Sequence, residues 1–257
     1  MDFYDPNGRP VVTPLQMVKS LTWGKLREKA LALPSTGILL VTRHDLRSLA
    51  RRLGAKRAMA WRPYRELYRG EVALALSPFG APNVVAVAEE ISAFGVRKVL
   101  FFGYCGSIRE DLKAGELLLP LVAVREEGTS YHYLPPGQEA VADEGMVELI
   151  EKRLQERGIP FRKGRIWSTD AIYRETAGKV ERYSREGVLA VEMEVAALLS
   201  WGKTAGVRVA ALLLVSDELS PSQWTPHFSS TSFLKAREKA LGLVAEIAKD
   251  LATSMGK

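Results

Sequence analysis

Short apolar runs alternate with amphipathic stretches along most of this chain, and that alternation constrains its fold more than any other feature. Apolar, strand-length runs fall at residues 37–41, 71–76, 98–102, 115–124, 161–168, 188–191 and 207–215. Between and after them, helical spacing of apolar residues appears at 45–53, 82–94, 144–157, 175–185, 194–205 and 232–252. Strands alternating with helices predict an α/β fold, a sheet wrapped by helices. Local signals agree: Asp45 stands near a helix start, Pro82 in a first turn, and Gly158 after a last one. Ser77-Pro78-Phe79-Gly80 and Gly103-Tyr104-Cys105-Gly106-Ser107 read as turns closing the second and third strands. The stretches 128–136 and 220–230 read as irregular.

No Pro/Gly/Ser-rich linker or charge block divides the 257 residues, so a single domain over 1–257 is expected, with 1–36 as an N-terminal extension. Hydrophobic residues at 47% and charged residues at 26% supply a core and an ordinary soluble surface. The apolar runs are too short or too interrupted for a membrane span, and the first residues lack the pattern of a signal peptide. Cys105, the only cysteine, excludes an intrachain disulfide and suits a reducing cytoplasm. The net charge of +6 raises the question of nucleic acid. The basic clusters are short, however, and Arg43, Arg47, Arg51 and Arg52 suit a solvated helix face or a small anion better. No Cys/His spacing suggests a metal site and no Gly-x-Gly fingerprint a dinucleotide.

Two acidic motifs carry the chemistry. Val191-Glu192-Met193-Glu194 opens a helix, and Val215-Ser216-Asp217 closes the long run 207–215. Strand ends are where α/β sheets hold ligands. Two carboxylates meeting there can divide the holding of a sugar diol from the protonation of a leaving group. With Gly103-Tyr104-Cys105-Gly106 and Ser168-Thr169-Asp170 they make four motifs in a fixed order. Together these resemble the nucleoside phosphorylase family, which holds purine nucleoside phosphorylases, uridine phosphorylases and related nucleosidases. The resemblance runs from Ile38 to the final helix.

The resemblance implies a mixed, twisted sheet flanked by helices, and a homo-oligomer that is a dimer or a trimer of dimers. It implies phosphorolysis of a nucleoside to free base and ribose 1-phosphate, with inorganic phosphate as co-substrate and no other cofactor. Glu194 matches the glutamate that binds the ribose hydroxyls, and Met193 the methionine that packs on the sugar. Glu192 is the poorer candidate for contact. Asp217 matches the aspartate that acts on N7 of a departing purine, a task for a partly buried carboxyl that can hold a proton. Ser216 is its orienting neighbour, and Asp170 shapes the pocket wall. Ile172 and Tyr173 are candidates to wall the base or to pack in the core. Phe79 and His132 are further substrate-binding candidates, His132 in a loop-ordering role as well.

Phosphate handling departs from the family. Its Gly-Asp-Pro-x-x-Arg-like turn is replaced by Thr42-Arg43-His44-Asp45-Leu46-Arg47, which keeps Arg47 and puts Arg43 at the glycine position. Phosphate is therefore expected at Arg47, Arg43 and Gly103. Phe101 and Tyr104 stand where the family places an arginine and a small hydroxyl, which removes a charge-assisted anchor. Residues 126–133 look like the corresponding uridine phosphorylase loop, yet Ile172-Tyr173-Arg174-Glu175 lacks the Gln-x-Arg pair that reads uracil. Purines are favoured over uridine. A hydrolytic nucleosidase and a non-catalytic nucleoside-binding protein stay open as alternatives.

Overall fold

The computed structural model describes residues 3–22, 28–61 and 64–254. Helices α1 (Pro14–Leu21) and α2 (Glu28–Leu31) lead into β1 (Thr36–Leu40), α3 (Arg43–Arg52), β2 (Lys56–Arg57), β3 (Leu67–Arg69) and β4 (Ala73–Leu76). Then come α4 (Ala81–Ala93), β5 (Lys98–Ser107), β6 (Leu117–Glu126), β7 (Ala140–Val141), α5 (Glu144–Glu156) and β8 (Phe161–Thr169). Helix α6 (Ala177–Arg185), β9 (Ala190–Glu192), α7 (Val195–Ala205), β10 (Arg208–Leu219), β11 (Trp224–Pro226) and α8 (Thr231–Thr253) complete the chain. No described helix is long and apolar enough to cross a membrane.

The strands form one mixed 11-stranded sheet flanked by helices, the α/β class expected from the alternating pattern. β4, β1, β5 and β10 lie side by side and parallel, so their carboxyl ends share one edge. β10 also pairs with β6, β6 with β8, β8 with β9, and β9 with the far half of β5. The sheet therefore closes on itself through β5, which the apolar periodicity alone gave no means of foreseeing.

Two boundaries differ from expectation, for one reason. The glycine segment 103–107 is not a turn: it continues β5, because β10 pairs along one edge of it and β9 caps the other. Likewise β10 does not stop at Val215. It bulges between Val215 and Asp217 and runs to Leu219, because β11 folds back onto it and pairs Asp217 with Pro226. Pairing of the backbone prolongs both strands where side-chain pattern alone signals a stop.

The central strands are dry. Ile38, Leu39, Leu40, Phe101, Phe102, Leu212, Leu213 and Leu214 are all at 0% exposure. Each such side chain contributes roughly 1.5–3 kcal/mol relative to the exposed state. This core fixes the strand ends, and with them the residues that project from those ends.

Candidate active site at the strand ends

The first carboxylates sit where β9 gives way to α7. Glu192 turns inward and serves the helix: its Oε2 accepts the backbone N–H of Glu194 at 2.6 Å and of Val195 at 2.8 Å. Its other oxygen takes the Ser168 hydroxyl, and Ser168 Oγ accepts the N–H of Ala196 at 2.9 Å. The free N–H groups of a helix start are thereby satisfied by side chains, with a negative charge at the positive end of the dipole. Glu194 lies beside it and reaches the loop after β4. Its Oε1 accepts the Gly80 N–H at 2.6 Å and its Oε2 the Met193 N–H at 3.3 Å. Gly80 has φ 102°, which glycine adopts without strain, so that the loop after β4 can present its N–H. Both glutamates are buried, and burial raises the proton affinity of each, with the charge of Glu194 adding to the rise at Glu192.

Across the strand ends stands Asp217, on β10 and opposite Gly106 of β5. Its Oδ1 accepts the Ser216 hydroxyl at 2.7 Å and its Oδ2 the Trp224 indole N–H at 2.8 Å. A Cβ on Gly106 would meet Asp217 Oδ2 at 2.9 Å and Leu219 Cδ1 at 2.3 Å, so only glycine leaves the carboxylate this place. Trp224 is 57% exposed, its polar edge on the acid and its ring toward solvent. From it, ring contacts pass through Phe228 and Phe233 to Tyr104. Glu175 belongs to the same end. Burial first, and then the negative charge of Asp217, push its carboxyl up to about 7.

Between the two lie the ends of β5 and β1, and a further carboxylate. Thr42 caps α3 by accepting the Asp45 N–H at 3.1 Å. Asp45 is wholly buried and takes a guanidinium bond from Arg237 of α8 at 2.7 Å, the Tyr104 hydroxyl at 2.6 Å and the Thr42 hydroxyl at 2.7 Å. A second Arg237 nitrogen donates to Thr42 Oγ1 at 3.0 Å. Arg43 and Arg47, from the same helix, are directed to Glu66 at 3.1 Å and 3.4 Å. The buried Phe101 ring lies across Gly103, where an added Cβ would meet it at 2.7 Å.

An open groove of about 660 Å³ lies elsewhere, between α6, the segment after β5 and the β10–β11 hairpin. It contains none of these carboxylates, and its Lys113–Glu218 and Arg109–Asp111 pairs neutralise one another.

The family model of the phosphorylase superfamily matches residues 35–252. The chain belongs to the phosphorylase superfamily. Among its relatives, a purine nucleoside phosphorylase DeoD-type of Clostridium novyi (strain NT) is 30% identical over 186 residues, spanning 70% of this chain and 79% of that protein. One of the same name from Hahella chejuensis is 32% identical over 185 residues, 69% and 77% of the two chains. A guanosine phosphorylase of Halorubrum lacusprofundi is 30% identical over 140 residues, 54% and 58% of the two chains. In three dimensions, the purine nucleoside phosphorylase of Toxoplasma gondii in complex with immucillin-H superposes with a TM-score of 0.79 at 20% identity, covering 89% of this chain and 94% of that one. This enzyme is thus a nucleoside phosphorylase-type member of the superfamily by sequence, and has the same fold by structure.

Within this superfamily member, Glu194, Met193, Ser216 and Asp217 lie at or beside the strand ends. Phe79, 72% exposed, adjoins the Gly80 that holds Glu194. Ile172 and Tyr173 sit on a 3-10 turn with exposures of 52% and 96%, which removes core packing as their role. His132 is exposed, and its ring stacks on Phe3 at 5.1 Å. Asp170 accepts the Gly128 N–H at 2.8 Å and so ties two loops together. Cys105 is buried, and burial pushes its thiol well up, which leaves it inert. Sequence reasoning missed Arg237, Trp224 and Glu175. The signal for Arg237 was legible: it stands on the stripe of α8 that buries Phe233, Ala240, Leu241 and Val244, where a charge calls for a partner.

Proposed function

We propose that this chain breaks the N-glycosidic bond of a nucleoside, a purine nucleoside in preference to uridine, and releases the free base. The observation that carries this reading is the pair Glu194 and Asp217, two carboxylates with different surroundings presented by neighbouring strand ends. Glu194, held by two backbone N–H groups, keeps its remaining acceptor capacity for a ribose diol, with Met193 beside it. Asp217 acts on the departing base, where a proton delivered as the bond breaks makes the base a better leaving group. The ribose carbon passes through a cationic, oxocarbenium-like state, which a nearby carboxylate stabilises. The names of the relatives favour a purine, and the family resemblance of Asp217 agrees with them.

Those names would make phosphate the acceptor and ribose 1-phosphate the second product. Hydrolysis is a second reading, favoured by one observation: the buried Asp45 carboxylate that engages Arg237 and Tyr104 between the other two acids. We further propose one functional unit with 1–36 as an extension, working in the cytoplasm as a homo-oligomer, which light scattering of the purified protein would test.

The test of function is base release from inosine, guanosine, adenosine and uridine, followed by chromatography. Release from one or more purine nucleosides, faster than from uridine, is expected. Binding of all four without release would sink the catalytic reading and leave a nucleoside-binding protein.

A further inference from the structure

We propose that Trp224 reads the purine at C6, admitting the oxygen of hypoxanthine and guanine and turning away the amino group of adenine. The inference rests on the reading of Asp217 as the acid that meets N7 of a departing base. It narrows the substrate of that same site to 6-oxopurine nucleosides.

The β10–β11 hairpin puts the indole where that choice is made. Leu219 pairs with Trp224 and Asp217 with Pro226, so these four side chains share one face of the ribbon. The turn between them is closed by the Ser220 N–H on the Gln223 carbonyl at 2.8 Å and by the Gln223 N–H on Ser220 Oγ at 3.0 Å. From that frame the Trp224 Nε1–H reaches Asp217 Oδ2 at 2.8 Å. Phe228 lies against the ring at 6.4 Å, and the rest of the indole is exposed, so its N–H edge is free to turn from the acid toward a ligand beside it.

A purine shows two groups side by side along the edge that Asp217 meets. A 6-oxopurine such as guanine offers N7 and O6, both acceptors, whereas adenine offers N7 and an amino group, which donates. A protonated Asp217 supplies a donor to N7 in either case. The position next to it is served by the indole, which donates and does not accept. Asp217 Oδ2 and Trp224 Nε1 lie 2.8 Å apart, close to the spacing of N7 and O6 on the base. A 6-oxo base therefore finds two donors for its two acceptors. A 6-amino base sets donor against donor. Asp217 alone does not relieve that mismatch, because each of its oxygens already receives a donor, Oδ1 from Ser216 and Oδ2 from Trp224. A site that leaves a polar group unpaired rejects the wrong ligand more strongly than one that merely lacks a contact.

The experiment compares the parent protein with Trp224→Phe on inosine and on adenosine, by the ratio of their kcat/KM values for base release with inorganic phosphate present. The parent should favour inosine by about tenfold or more, the effect of one unmatched donor. Trp224→Phe keeps an aromatic ring without the N–H. The ratio should then fall by about fivefold or more, because inosine loses a bond and adenosine loses a mismatch. A ratio does not depend on how much of the variant is folded, so weak folding does not mimic this result. A ratio unchanged by the substitution would reduce Trp224 to a holder of Asp217 and overturn the inference. A parent protein that releases base from the two alike, or prefers adenosine, would also overturn it, and in both cases glycosidic cleavage would stand. No release from either nucleoside would overturn the inference and the reading of Asp217 together.

Discussion

Asp217 and Asp45 are carboxylates at the ends of neighbouring parts of one sheet, and their surroundings are opposite. Asp217 is half-buried and receives two neutral donors, a serine hydroxyl and an indole N–H, with no arginine on it among the described residues. Asp45 is wholly buried and clamped by a guanidinium, a phenol and a threonine hydroxyl. Neutral donors orient a carboxylate and leave it able to exchange a proton or a ligand. A buried guanidinium fixes its charge and its place, because separating the pair would strand a charge away from water. Burial and the Asp45 charge push the Tyr104 phenol well above its ordinary range, so that it too stays a neutral donor. On the proposed function, one acid is arranged for turnover, and the other holds α3, α8 and β5 together.

The largest expected effect breaks the pair at its reactive member. Asp217→Asn keeps the shape and removes the acid, so base release should fall about 10²–10⁴-fold, the usual worth of a positioned general acid. Its melting temperature should move little. Asp45→Ala should do the reverse, costing about 3–5 kcal/mol of stability by orphaning Arg237 in the interior. Chemical denaturation of the two variants side by side is the check. A stable Asp45→Ala protein, with Asp217→Asn unfolding early, would invert the assignment of roles.

A smaller change sharpens the contrast. Trp224→Phe keeps an aromatic surface beside Asp217 and deletes only the indole N–H. Losing one such bond is worth roughly 1 kcal/mol, or about fivefold in kcat, with KM little changed. Trp224→Leu removes the ring as well and should raise KM. If Trp224→Phe leaves kcat untouched, the bond to Asp217 is incidental, and the ring alone matters.

The same contrast explains what the sequence could disclose. Glu194 and Asp217 could be proposed from sequence because each belongs to a contiguous motif, Val191-Glu192-Met193-Glu194 and Val215-Ser216-Asp217. The Asp45 cluster was not, because its members come from α3, β5 and α8, and Arg237 lies in the last helix. A buried ion pair between distant residues has no local pattern, apart from the misplaced charge on the apolar stripe of α8. The strand alternation was legible for the core, where burial decides. It failed at residues 103–107 and 216–219, where partner strands across the sheet decide. Nor can the pairing of Arg43 and Arg47 with Glu66, on a separate loop, be placed from sequence.

The smallest expected effect concerns Glu175. Burial, and then the charge of Asp217, raise its carboxyl from 4.5 to about 7 in the folded protein. Between those values the folded state binds a proton that the unfolded state has lost. The Glu175 contribution to stability is therefore full at low pH and declines as pH rises through the window from 4.5 to about 7. Glu175→Gln cannot titrate, so it should gain on the parent protein between about pH 5 and about pH 8 in matched denaturation curves. An equal difference at both ends would mean that Glu175 ionises as an ordinary surface acid. Placing Glu175→Gln in the Asp217→Asn background tests the comparison itself. With the Asp217 charge gone, part of the upward push on Glu175 goes too, and the pH-dependent gain should shrink. An undiminished gain would show that burial alone raises Glu175, and that the base end of the crevice is not a coupled pair of acids.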